Sequence, residues 1–254
     1  MASEIAYLPT LAQYPQWVRG PAHIVEDQVV LDTRRAEPYF IHEADNDLMF
    51  AFARLAADLD NLDERDVLAF VRRYGLLWHG AEDLSSGKCS EPLAEVWAEA
   101  RIFLELLELY ANLRDSVRSG SAGPLRTAKI DFSRYFGHKA ADDETLMAQA
   151  SLFLGEQVTE ALEGCTHGVV STALDASSSS PDRFLLSINP PNLLSLAYVR
   201  FAQVIVDRAP MVECSGCGQT FIPESGKQKY CTKSCASTSR WRRWKENQTN
   251  KQGT

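Results

Sequence analysis

Four of the chain's six cysteines fall within 22 residues: Cys214, Cys217, Cys231 and Cys235, spaced Cys-x2-Cys-x13-Cys-x3-Cys. Thiolates are soft donors, and two close pairs on separate turns can close a tetrahedron around zinc. One structural Zn²⁺ held by these four cysteines is therefore the expected cofactor. Between Cys214 and Cys217 the chain must turn tightly, and Gly216 and Gly218 suit such a turn. Gln219 to Pro223 then reads as a short strand, Glu224 to Lys227 as a turn, and Gln228 to Cys231 as the return strand. Cys231 and Cys235 lie one helical turn apart and open a helix expected to end near Asn247. Knuckle, hairpin and helix make a treble-clef-like finger with four cysteine ligands. About 35 residues bury too little apolar area to fold unaided, so zinc binding and folding of the finger are expected to be coupled.

The helix that follows the cysteines carries Arg240-Trp241-Arg242-Arg243-Trp244. With Lys229, Lys233 and Lys245, the three arginines form the candidate nucleic-acid-binding set, because cations meet phosphates without regard to sequence. Trp241 and Trp244 sit about 60° apart on a helical wheel. They are expected, with Phe221 and Tyr230, to form the finger's small core. A protein partner, or the chain's own acidic portion, remains the alternative target of the basic face.

Charge supports a division of labour. Eight Lys and Arg against two Glu leave Cys214–Thr254 at +6, so the rest of the chain carries −14 of the overall −8. Four thiolates and one zinc would reduce the tail to about +4. An acidic body with a basic tail is a pattern in which the tail meets a polyanion or meets the body. No apolar run reaches membrane-spanning length, and the N-terminus shows no basic start before an apolar segment. Clustered cysteines in a chain of 254 residues point to a metal site in a reducing compartment, with the cytoplasm expected.

Elsewhere the chemistry-bearing residues are scattered. His23, His42, His79, His138 and His167 occur singly, none four residues from another. Cys165 and His167 lie two apart, but a lone thiol before a strand reads as a small core residue rather than a nucleophile. Glu95, Glu99, Glu105 and Glu108 read as a solvated helix face, since no Glu-x-x-His accompanies them. No phosphate-cradling glycine loop or nucleophile elbow is present. These readings lean away from an enzyme, and an enzymatic role stays open as the third class of function.

The elements that must position the finger are mainly helical. Residues 1–44 are turn-rich with one strand at Gln28 to Thr33. Apolar spacing predicts helices at about Asp45 to Leu59, capped by Asn46 and Asp47, and Asp63 to Tyr74, stopped by Gly75. A third spans Glu91 to Arg118, capped by Ser90 with Pro92 in its first turn. Ser119 to Pro124 marks a break and a possible sub-boundary near 119–126, and Thr127 to His138 is ambiguous. A helix at Asp142 to Leu162, a hairpin of Gly168 to Leu174 with Arg183 to Asn189, and a helix from Pro190-Pro191 to about Asp207 complete the body. The expected architecture is mainly α (α+β): a helical body over 1–210 with one small β-hairpin, the zinc finger over 211–247, and a disordered tail over 248–254. The body would serve oligomerisation or the sensing of a partner.

The finger resembles the C-terminal zinc finger of uncharacterised bacterial proteins of the CGNR-type class. The resemblance rests on Cys214, Cys217, Gly218, Phe221, Tyr230, Cys231, Cys235, the arginines beyond them and the feeding helix at Asn192 to Asp207. Where that class has Cys-Gly-Asn-Arg, this chain has Cys235-Ala236-Ser237-Thr238. The resemblance implies a DNA-binding regulator of transcription.

Overall fold

The computed structural model describes residues 17–39, 48–57, 62–79, 89–128, 130–172, 183–218, 220–223 and 225–252. The chain forms two compact units, Met1–Gln203 and Val204–Thr254.

The first unit opens with four short strands, β1 (Trp17–Arg19), β2 (Ala22–Val25), β3 (Gln28–Leu31) and β4 (Glu37–Tyr39). β1 pairs antiparallel with β4, setting Trp17 opposite Tyr39. β2 and β3 form a hairpin turned by Glu26 and Asp27, both at positive φ (48° and 62°), the backbone that matches the twist of a two-residue hairpin. In the sequence only the strand at Gln28 stands out, because its Val29-Val30-Leu31 run is continuously apolar, whereas β1, β2 and β4 mix polar residues, glycine and proline around them.

Helix α1 (Leu48–Arg54) ends earlier than expected and buries Leu48 to Ala53 without a break, so it has no single apolar stripe; the proposed caps Asn46 and Asp47 lie outside the described residues. Helix α2 (Glu64–Tyr74) starts where expected, the Asp63 carboxylate accepting from the Arg65 N–H at 2.8 Å. Gly75 ends it at φ +96°, pressed so closely against β1 that an added Cβ would lie 2.2 Å from the Val18 carbonyl oxygen. Beside it the Tyr39 hydroxyl donates to the Tyr74 carbonyl at 2.5 Å.

Residues expected to begin the third helix instead form strand β5 (Cys89–Pro92), which pairs with the free edge of β3. Helix α3 (Leu93–Ser119) therefore starts two residues late, and Ser90 is not its cap. Long-range pairing outweighs the local capping signal here. Its consequence is that Glu91 points inward and is only 1% exposed. The carboxylate accepts from the Leu77 N–H at 2.9 Å and the Trp78 N–H at 2.6 Å.

Two short helices, α4 (Gly123–Arg126) and α5 (Phe132–Phe136), precede α6 (Asp143–Ala161). Asp142 caps α6 through the Thr145 N–H, and Asp143 reaches back to the Ala122 N–H and to Arg126. These bonds tie residues 121–126 to the start of α6 within the first unit. Strands β6 (Thr166–Thr172) and β7 (Arg183–Asn189) pair antiparallel along their whole length, as the expected hairpin requires, and α7 (Leu193–Val206) follows. Aromatic rings at 5–6 Å centroid spacing link α1, α3 and α7: Phe103 touches Phe52 (5.4 Å), Tyr198 (5.0 Å) and Phe201 (5.6 Å). The two contacts to α7 are edge-on and the one to Phe52 is tilted, and such aromatic pairs add to plain apolar burial.

The second unit holds strands β8 (Val212–Glu213) and β9 (Thr220–Phe221) and helix α8 (Lys233–Gln252). β9 pairs with β8, which precedes the knuckle, and not with the expected return strand at Gln228 to Cys231. That segment runs back irregularly, held by the Ser215 N–H donating to the Lys229 carbonyl at 2.9 Å. Helix α8 continues to Gln252, so residues 248–252, expected as a disordered tail, remain helical. The whole is mainly α with small antiparallel sheets, as expected. Among the described residues no helix is long and apolar enough to cross a membrane.

Candidate metal centre

Cys214 and Cys217 stand on either side of the turn between β8 and β9. Gly218 takes φ +73° and its N–H closes the turn on the Cys214 carbonyl at 2.8 Å. Gly216 contributes room rather than a left-handed backbone: an added Cβ would meet the Cys235 carbonyl oxygen at 3.1 Å and the Tyr230 ring at 3.3 Å. Cys231 arrives just ahead of α8 and Cys235 lies in its first turn. The Thr232 hydroxyl accepts the Cys235 N–H at 3.1 Å and so caps the helix.

These local constraints bring the four Sγ atoms together, all within 4.8 Å of one another. Cys217 and Cys231 are 3.7 Å apart, and Cys231 and Cys235 are 3.4 Å apart. A tetrahedron with metal–sulfur bonds of about 2.3 Å has sulfur–sulfur edges of about 3.8 Å. The observed spacing fits that figure, so the four cysteines can hold one metal ion. Cys214 is buried and Cys217 exposed, with Cys231 and Cys235 between. Among the described residues no other group of three or more His, Cys, Asp or Glu side chains is placed to do the same.

The backbone around Cys214 favours its thiolate. Burial pushes the Cys214 thiol up, but the N–H groups of Cys231, Gly216 and Cys217 outweigh it and bring it down to about 6. Two of those N–H groups lie 3.3 and 3.4 Å from Cys214 Sγ. For Cys231, burial and then the neighbouring Cys235, Cys214 and Cys217 sulfurs push the thiol up to about 12. Four anionic sulfurs at such spacing repel one another. A cation at their centre removes that repulsion, which is why loading such a site releases protons.

Trp241 and Trp244 are not core residues. They are 57% and 58% exposed, whereas Phe221 is buried and Tyr230 half-buried, its hydroxyl 3.5 Å from Ser239 Oγ. The physical reason is reach. Each strand of the β8–β9 hairpin has two residues, while Trp241 and Trp244 lie about 9 and 13 Å along the helix from Cys235. Lys229, Lys233, Arg240, Arg242 and Lys245 are all exposed, and Arg243 lies on the same helix. Lys245 Nζ sits 5.3 Å from the Trp241 ring centre, a cation–π distance. Lys227, outside the expected set, lines with Lys229 and Lys233 an open groove of about 460 Å³ beside the start of α8. Its signal in the sequence was a basic residue at the turn opposite the helix.

The expected solvated face of α3 is only partly solvated. Glu95 and Glu108 are exposed on α3, with Glu99 and Glu105 half-buried. Burial, helped by Glu95, pushes the Glu99 carboxyl up. Burial likewise pushes the Cys165 thiol up, away from the range of a reactive thiolate. The carboxyl that sequence reasoning missed is Glu91, which burial pushes up to about 7 against the opposing pull of the Trp78 and Leu77 N–H groups and His79. No known protein family, curated protein or solved structure matches the chain.

Proposed function

We propose that the chain is a zinc-dependent, nucleic-acid-associated protein of the cytoplasm, with a regulatory role of the kind that the CGNR-type resemblance implies. The four cysteines hold one structural Zn²⁺, because a closed, all-thiolate, tetrahedral site of this size suits zinc and leaves no position open for catalysis. Zinc fixes the first turn of α8 against the knuckle, and the rest of the helix is thereby held out into solvent. Lys229, Lys233, Arg240, Arg242, Arg243 and Lys245 then meet phosphates.

The observation that carries this reading is the exposure of Trp241 and Trp244 among those cations. Tryptophans used to close a finger would be buried, and an exposed pair flanked by arginines suits a ligand that is both anionic and aromatic. The experiment is a titration of the zinc-loaded full chain with nucleic acid at two salt concentrations. About six phosphate contacts predict a loss of two to three orders of magnitude in affinity between about 50 and 200 mM salt. Changing Arg240, Arg242 and Arg243 together to alanine should weaken binding further. Absent or salt-insensitive binding would favour a purely structural finger serving a protein partner.

A further inference from the structure

We infer that α8 binds single-stranded nucleic acid, seating its backbone in the lysine groove and stacking bases on Trp241 and Trp244. This rests on the nucleic-acid reading above and narrows it. At 100° per residue, Lys233, Ala236, Arg240, Trp241 and Trp244 fall within an arc about 140° wide, while Cys235 points to the opposite side, toward the metal site. Lys233 and Ala236 are also walls of the groove that Lys227 and Lys229 complete. Groove and tryptophans thus share one continuous face, with Arg240 between them. The rings lie about 12 and 16 Å along the axis from Lys233, a span that a short run of nucleotides crosses.

Composition separates this ligand from others that favour a basic helix. Within Lys233–Gln252 the only large apolar side chains are the two tryptophans. A helix that lies on a membrane or in a protein groove needs an apolar stripe sustained over several turns, and α8 has none. Duplex DNA offers phosphates, but its base faces are already stacked on one another. Unpaired bases offer free π-faces, which every base has, so such a site tolerates any sequence. Lys245 Nζ, 5.3 Å from the Trp241 ring centre, adds a cation beside that ring.

The test uses the zinc-loaded full chain and fluorescence anisotropy, with a labelled oligothymidylate on the order of ten nucleotides long and a mixed-sequence duplex of matching length. The single strand should bind at least about tenfold more tightly. Trp241→Ala and Trp244→Ala should each weaken single-strand binding by roughly 5- to 100-fold and leave the duplex unchanged, and Trp244→Phe should restore most of the loss. Both side chains are exposed, so these variants fold. Equal affinity for both probes, or full single-strand binding by the alanine variants, would overturn the stacking inference while leaving nucleic-acid binding standing. Failure of both probes to bind at low salt would overturn the nucleic-acid reading and this inference with it.

Discussion

Glu91 gives the sharpest energetic prediction. It is 1% exposed on β5, and burial pushes its carboxyl up from 4.5 to about 7 despite two backbone N–H donors. Folding therefore disfavours the ionised form. The group's contribution to stability is complete below about pH 4.5, falls as the pH rises, and is exhausted once the folded carboxyl ionises above about 7. A shift of this size corresponds to about 3 kcal/mol, of which about 2–3 kcal/mol falls between pH 5 and 8. Glu91→Gln removes the titration. Its amide will oppose one of the two N–H donors, but that penalty is the same at every pH and cancels. The assay is urea unfolding of zinc-loaded wild type and Glu91→Gln, followed by helical circular dichroism at several pH values from 5 to 8. The wild type should lose stability relative to the variant as pH rises. A stability difference that stays flat across this range would refute the reasoning, because it would mean that the carboxylate is solvated or that the turn at Leu77 and Trp78 opens to release it.

Other outcomes follow from the same contacts. Cys231→Ser should release metal and unfold the second unit while the helical signal of the first persists; metal analysis and circular dichroism read the two effects separately. Freshly purified, reduced protein should contain close to one zinc per chain, and a strong chelator should reproduce the Cys231→Ser phenotype. Gly75→Ala should destabilise the first unit by about 3 kcal/mol or more, since both the positive φ and the 2.2 Å approach to Val18 oppose a Cβ. A thermal shift within error of wild type would show that β1 can move away.

The cysteine cluster was legible in the sequence because it is built from local turns. Spacing alone dictates that Cys214 and Cys217 share a knuckle and that Cys231 and Cys235 lie close together at the start of α8, although Cys231 stands two residues ahead of the helix. Helices α2 and α6 were equally legible, since Asp63 and Asp142 cap them with their own side chains and an apolar stripe runs through each. Tertiary structure decided what depends on distant partners. Residues 89–92 carry a good helix start, and only the open edge of β3 makes them a strand and buries Glu91. Phe221's strand pairs backward with β8 instead of forward, because the knuckle returns the chain to Val212 first. The sequence by itself determined that α8 would be basic and would carry two tryptophans. Whether they close the finger or face solvent was a matter of how far a two-residue hairpin extends along a 20-residue helix, and that length is set only when both are folded.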